Sequence, residues 1–177
     1  MVQKFFIKDY NFKLLSKKST RLKKREIKEI CSLKMENWSY SFTSQFNWFK
    51  NNINEEDIHN LLYFKNSIVG YTCLRKKFLF YKSLTKNFLL FDTLIIKKEF
   101  HKKNLGNILM NFNNKIIKKN NLPSYLLAKK RVINFYQKHR WRVIKKNYQF
   151  LNYEFSKKDL MYFNSRKINE KIFFIIW

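Results

Sequence analysis

The sequence predicts an α/β (α+β) fold organised around a strand–helix–strand unit. Three observations predict it. A strand-like run at 88–97 has alternating and β-branched character. The clearest amphipathic helix of the chain follows at 105–119, where Leu105, Ile108, Leu109, Phe112, Ile116 and Ile117 recur at three- and four-residue spacing. A short apolar strand follows at 124–128, after Pro123 closes the helix. A strand, a crossover helix and a parallel strand make a βαβ unit that is right-handed by default. The loop before such a helix is where ligands bind.

The elements before this unit read as follows. Residues 1–22 form a basic lead with a short strand near 12–15. Residues 23–36 read as a helix with Ile27, Ile30, Cys31 and Leu33 on one stripe and charges on the other face. An aromatic loop carries Trp38, Tyr40 and Phe42. A second helical piece at 44–51 carries Phe46, Trp48 and Phe49, and an acidic turn at 52–57 ends it. Residues 59–64 and 67–75 read as two strands joined by a Lys65-Asn66 turn, with 78–81 extending the second strand or forming an edge. After the βαβ unit, 131–139 reads as a short helix, and 141–145 and 150–155 as closing strands. No internal repeat or linker interrupts the chain. It reads as a single domain over 1–177, with a core over about 12–155 and a C-terminal extension over 156–177.

Composition sets limits on function. The chain has 177 residues, 45% of them hydrophobic and 19% aromatic, which excludes a disordered chain. Two glycines and one proline exclude collagen-like and Pro-rich classes. No run approaches the roughly 20 apolar residues of a membrane span; the longest, Ile172 to Trp177, suits a strand or a dipping tail. Lys4 and Lys8 precede no apolar segment of a secretory signal, so a cytoplasmic protein is expected. Cys31 and Cys73 read as reduced core residues. His59, His101 and His139 are too widely spaced to suggest a metal site, so no metal is expected.

The net charge of +26 invites a nucleic-acid reading. The dominant residues Lys, Asn, Phe, Ile and Tyr all have A/T-rich codons, so the charge also fits codon drift. Lys far outnumbers Arg, whereas readers of bases and phosphates favour Arg. Nucleic acid therefore stays open as a partner without being favoured. In either case the charge draws polyphosphates toward the surface.

The junction at 92–109 carries the chemistry. A strand runs into His101-Lys102-Lys103-Asn104-Leu105-Gly106-Asn107 and opens the amphipathic helix. Such a turn presents backbone N–H groups at a positive helix end, a ready anion site. Gly106, one of two glycines, lets backbone approach a ligand closely. An ordinary βα turn is the plain alternative. Downstream, Phe135-Tyr136 lies on the short helix, and Trp141 opens the next strand.

Together these pieces resemble the GCN5-related N-acetyltransferase (GNAT) superfamily. The match falls on His101 to Gly106 for the family's Gln/Arg-x-x-Gly-x-Gly/Ala, on Phe135-Tyr136 and Trp141, on Ser67-Ile68-Val69-Gly70-Tyr71, and on Asp92 to Ile96. It covers about 25–155 in the family's element order. His101 replaces Gln/Arg, Asn104 the first Gly, Lys129 an Asn, and Arg140-Trp141 the usual Gly-Phe. Asn is the next best residue for a left-handed backbone. The resemblance implies a mixed, mostly antiparallel sheet with helices on both faces, and acetyl-CoA as acyl donor. It implies that the amides of Lys102, Lys103, Asn104, Leu105, Gly106 and Asn107 hold the pyrophosphate. The main chain of Leu94, Ile95, Ile96 and Lys97 would pair with the pantetheine arm. Tyr136 falls on the general-acid position.

The base is less defined. Asp92 and Glu99 lie on and after the strand. By alternation Asp92 shares a face with Leu94 and Ile96, where partial burial would raise its pKa; an ion pair with a lysine and proton transfer through water are the alternatives. The family's acceptor region corresponds to Trp38, Tyr40, Phe42, Gln45, Trp48 and Phe49, with Trp38, Tyr40 and Gln45 as candidate contacts. Aromatic walls with a few polar groups suit a small amphipathic amine. The stretch from Trp38 is loosely similar to enzymes acetylating amino-sugars of surface glycans, and core packing is the alternative. The expected activity is N-acetyl transfer to a small-molecule primary amine. A protein or peptide amine, a basic nucleic-acid-binding module and an inactive relative are the other readings, and a homodimer is left open.

Overall fold

The computed structural model describes residues 1–7, 10–81, 84–144, 148–150, 158–165 and 172–175. The elements run β1 (Val2–Ile7), β2 (Tyr10–Lys18), α1 (Lys24–Met35), α2 (Phe42–Asn52), β3 (Ile58–Phe64), β4 (Ser67–Tyr81), β5 (Leu84–Ile96), α3 (Leu105–Asn120), β6 (Ser124–Ala128), α4 (Ile133–Lys138), β7 (Arg142–Val143), β8 (Tyr148–Phe150), β9 (Asp159–Phe163) and β10 (Ile172–Ile175). Strand pairing is mixed and mostly antiparallel. The chain divides into two compact units: Met1–Arg75 with Thr93–Asn114, and Lys76–Asp92 with Lys115–Trp177. Strands β4 and β5 and helix α3 each contribute residues to both.

In the first unit β1, β2, β3 and β4 pair in order, all antiparallel. The core joins Ile30, Cys31 and Leu33 of α1 and Phe49 of α2 to Leu61, Ile68, Tyr71, Cys73 and Ile95 of the strands. Helix α1 is tied down by its carboxylates. Glu26 accepts from the Lys23 backbone N–H at 2.8 Å, from Lys17 Nζ at 2.7 Å and from the Tyr63 hydroxyl. Glu29 accepts the Ile68 backbone N–H at 2.9 Å. Ser41 caps α2 by accepting the Ser44 N–H at 3.1 Å. The buried stripe of α1 is not purely apolar, as its spacing suggests: Glu26 and Lys34 are buried with it. Cys31 and Cys73 are buried, free thiols.

In the second unit β5 and β6 pair in parallel, Leu89 opposite Ser124 and Leu90 opposite Tyr125. This is the pairing of the βαβ unit. Ser124 Oγ donates to Leu89 O at 2.7 Å. β9 pairs antiparallel with both β6 and β7. β10 pairs with the end of β4 and with β8. Leu79, Phe88, Leu90, Tyr125, Ile144, Leu160 and Tyr162 form the core.

The structure departs from the sequence reading in several places. The N-terminal lead contains two strands, the second spanning nine residues. Residues 159–163, read as part of a C-terminal extension, are the five-residue strand β9. The helix read at 131–139 begins as a 3-10 turn at Lys130–Val132. Of the closing strands, Lys145 and 151–155 lie outside the described residues, as do Lys8, Ile176 and Trp177 at the chain ends. Among the described residues no helix is long and apolar enough to cross a membrane.

Candidate functional site

The phosphate-loop candidate belongs to the first unit. At the end of β5 the Lys97 N–H donates to Val69 O at 2.8 Å, which ties the strand end to β4. His101 Nε2 lies 2.8 Å from Ile96 O, so its ring spans the turn rather than projecting away from it. Phe100 anchors the turn, buried against Phe12 and Phe64. Lys103 places its ammonium 5.0 Å from the centre of the Phe100 ring.

Two residues of the loop take the left-handed conformation, Lys102 and Asn104, each at φ 59°. Alternating left- and right-handed residues make a concave run of backbone N–H groups that suits an anion. Asn104 is thus left-handed, as the residue type allows. Its carbonyl accepts the Ile108 N–H, and its side chain accepts from Asn107 Nδ2. Gly106 follows on the first turn of α3. A Cβ built there meets nothing within 4 Å, so the space beside it is open. Its φ is not positive, so the backbone there does not require a glycine. The first N–H groups of α3 have no intrahelical acceptor by geometry.

The face of β5 next to the loop is half-open. Phe91, Thr93 and Ile95 are buried, Leu94 and Ile96 are half-buried and Asp92 is exposed. Asp92 does share its face with Leu94 and Ile96, but that face is the open one, which corrects the expectation of partial burial. Glu99, the other candidate base, is exposed and holds Lys97 at 3.0 Å. That bond raises the Lys97 pKa above its ordinary value, and the Glu36 charge adds to the effect. Glu36 closes α1, so the loop after α1 lies within electrostatic reach of the β5 end.

That loop and α2 hold the acceptor candidates. Trp38 and Tyr40 are exposed, with Met35 and Phe46 also exposed nearby in sequence. Gln45 is buried at 5% exposure, so unlike Trp38 and Tyr40 it is not part of the exposed wall. Phe42 stacks on Phe46, and Phe49 belongs to the core. The charged partners of this wall were missed in the sequence. Lys34 and Arg75 are both buried, and both face the Trp48 ring. The available signal was spacing: Lys34 stands four residues after Ile30 and four before Trp38.

Tyr136 belongs to the second unit. It is half-buried on α4, edge-on to Phe91 at 6.1 Å and packed by Phe135 and Trp141. Burial pushes its phenol up to about 12, so it stays protonated at neutral pH. Its carbonyl accepts the N–H groups of His139 and Trp141. Arg140 between them is left-handed at φ 67°, a conformation that glycine adopts most readily. Trp141 is buried and stacks on Phe163 of β9.

Among the described residues no His, Cys, Asp and Glu side chains group as metal ligands. No family model and no curated protein matches the chain. Solved structures do. Escherichia coli ElaA matches with a TM-score of 0.63 at 14% identity, over 85% of this chain and 98% of its own. An aminoglycoside 6'-N-acetyltransferase complexed with coenzyme A matches with 0.63 at 14%, over 88% and 99%. The PaiA N-acetyltransferase of Thermoplasma acidophilum in complex with coenzyme A matches with 0.57 at 16%, over 84% and 97%. From the left-handed loop before α3 to the Tyr136 helix, the chain has the fold of the GCN5-related N-acetyltransferases.

Proposed function

We propose that this chain is an acetyl-CoA-dependent N-acetyltransferase acting on the primary amine of a small molecule of amino-sugar type. The observation that carries the reading is the loop before α3. Lys102 and Asn104 are left-handed there, and a Cβ at Gly106 would meet nothing. The left-handed residues turn the backbone into α3, and the open side of Gly106 leaves room for a ligand against the first turn of the helix.

In this reading the donor supplies the thioester carbonyl. The amides of Lys102 to Asn107 hold the pyrophosphate, with Lys102 and Lys103 adding charge. His101 braces the turn through Ile96 O. The main chain of Leu94 to Lys97 pairs with the pantetheine arm as a sheet edge does. The acceptor amine must be neutral to attack. Asp92, exposed on β5, is the carboxylate that receives its proton, through water.

Tyr136 donates a hydrogen bond to the departing sulfur. A phenol near 12 is about 3.5 units above an ordinary thiol near 8.5, so complete proton transfer from it is uphill by about 5 kcal/mol. Tyr136 is thus a stabilising donor, and solvent completes the protonation. Trp38 and Tyr40 form the acceptor wall, amphipathic surfaces suited to a sugar ring bearing an amine.

Calorimetric titration of acetyl-CoA at about 150 and about 500 mM salt, with ATP as the polyanion control, tests the reading. Binding that survives high salt and exceeds ATP supports a site reading the pantetheine arm. Binding that collapses, or merely equals ATP, overturns the acetyltransferase reading. Thiol release with glucosamine 6-phosphate and with a free-N-terminus peptide then separates sugar from peptide acceptors.

A further inference from the structure

We propose that Lys34 is the positioning residue of the acceptor loop, through a stack of alternating cations and indoles that fastens the loop to β4. The inference rests on the acetyltransferase reading above and deepens it.

The stack has four members, all in the first unit. Arg75 on β4 lies with its guanidinium carbon 5.2 Å from the centre of the Trp48 ring on α2. Its Nη2 donates to Asn52 O at 2.9 Å, at the last carbonyl of α2. The Lys34 ammonium on α1 lies 3.8 Å from the centre of the same ring. It is also 5.8 Å from the centre of the Trp38 ring, in the loop. Lys34 and Arg75 are only 6% and 1% exposed.

The main chain acts in the same sense. Lys34 O accepts the N–H groups of Asn37 and Trp38 at 3.1 and 3.0 Å, and Leu33 O accepts Asn37 Nδ2 at 3.1 Å. Lys34 therefore grips the loop by its carbonyl and by its ammonium.

A leucine would be the ordinary choice on this buried stripe. A buried ammonium is costly unless it meets favourable charge, and the negative face of an indole supplies it. What lysine gains over leucine is reach and direction: it draws Trp38 of the loop and Trp48 of α2 to one point. The loop carries the exposed Trp38 and Tyr40, and its first residue, Glu36, acts on Lys97 at the end of β5. The posture of this loop sets where an amine meets the Leu94–Lys97 strand. Lys34 acts through Trp38, not by touching the acceptor.

The test compares Lys34→Met and Lys34→Arg with the wild-type protein. Hydrogen exchange is followed over 35–41 and over 105–120, and kinetics use whichever of glucosamine 6-phosphate or the free-N-terminus peptide turns over faster. Lys34→Met is expected to speed exchange over 35–41 about tenfold and to raise the acceptor KM about tenfold. Exchange over 105–120, kcat and acetyl-CoA affinity should stay within twofold, and Lys34→Arg should restore most of both losses. Unchanged exchange over 35–41, or acceptor KM and acetyl-CoA affinity weakening together, overturns the proposal. If the wild-type protein acetylates neither amine, the acceptor reading fails, and the exchange comparison still decides the stack. If Lys34→Met does not fold, Trp48→Leu takes its place, and unchanged loop exchange there overturns the proposal equally.

Discussion

Gly70 and Ile96 are in such close apposition that a Cβ on residue 70 would lie 2.8 Å from Ile96 Cδ1. The same Cβ would lie 3.1 and 3.2 Å from Leu62 Cδ2 and Cβ. The glycine of the Ile-Val-Gly-Tyr stretch thus makes room for the last side chain of β5, and the neighbouring Val69 carbonyl holds the next N–H, that of Lys97.

Gly70→Ala is therefore expected to weaken both fold and donor binding. Leu62 is fully buried and cannot yield, whereas the Ile96 side chain can rotate. Overpacking of this kind costs about 1–3 kcal/mol. Urea unfolding should report that loss. Acetyl-CoA titration should weaken as well, because the displaced Ile96 lies in the Leu94–Lys97 segment whose main chain is proposed to pair with the pantetheine arm. A loss of stability with unchanged acetyl-CoA affinity would separate Gly70 from the site.

Asn104 is left-handed, and its substitutions should divide by backbone conformation alone. Asn104→Gly keeps the conformation available and should retain acetyl-CoA binding within about threefold. Asn104→Val places a β-branched residue at positive φ, a strain of about 1–3 kcal/mol. It should lower acetyl-CoA affinity about tenfold or more. Equal binding by the two variants would show that the loop does not hold the donor in this conformation.

The strand–helix–strand unit was legible because its signals are local. The spacing from Leu105 to Ile117 marks α3, and the five residues of β6 stand between Pro123 and a Lys pair. Strand β9 was not legible, because Leu160 to Phe163 are all buried and do not alternate. Their main partner, β6, is more than 30 residues away, and no local pattern encodes that pairing. The left-handed Asn104 followed from residue type. The exposure of Asp92 did not, since alternation says which residues share a face but not which face is covered. The Lys34 stack was hidden by the usual rule that lysines sit outside; the indoles that reverse it come from α2 and the loop.

His59 should make stability depend on pH. It is fully buried on β3, with Nδ1 2.8 Å from the Tyr71 hydroxyl and Nε2 2.9 Å from Ser19 Oγ. Ser19 donates to Asn54 O at 2.6 Å. The consistent arrangement has His59 Nε2–H donating to Ser19 and Tyr71 donating to Nδ1, a neutral ring. Burial lowers its pKa to about 4, below the ordinary 6.5. Between these values the unfolded chain binds the proton that the folded chain refuses. The contribution is intact above about pH 6.5 and is lost as pH falls toward 4, about 3 kcal/mol in all. Urea midpoints from pH 7 to 4 should fall in the wild-type protein and fall less steeply in His59→Gln. Parallel slopes would remove His59 as the cause.

Tyr136→Phe tests the donor role most directly. Phenylalanine keeps the packing against Phe91 and Trp141 and removes only the hydroxyl. Loss of one hydrogen bond to developing charge costs about 100–1000-fold in kcat, and acetyl-CoA affinity should hold within twofold. The pH profile carries a second expectation. With the phenol near 12, its ionisation lies far above the assay range, so kcat/KM should rise as the amine deprotonates and show no descending limb up to about pH 10. A fall that begins near pH 8–9 in the wild-type enzyme, and is absent from Tyr136→Phe, would mean that Tyr136 ionises there and transfers its proton outright. Unchanged kcat in the variant would take Tyr136 out of the reaction, leaving it as packing for the turn into β7.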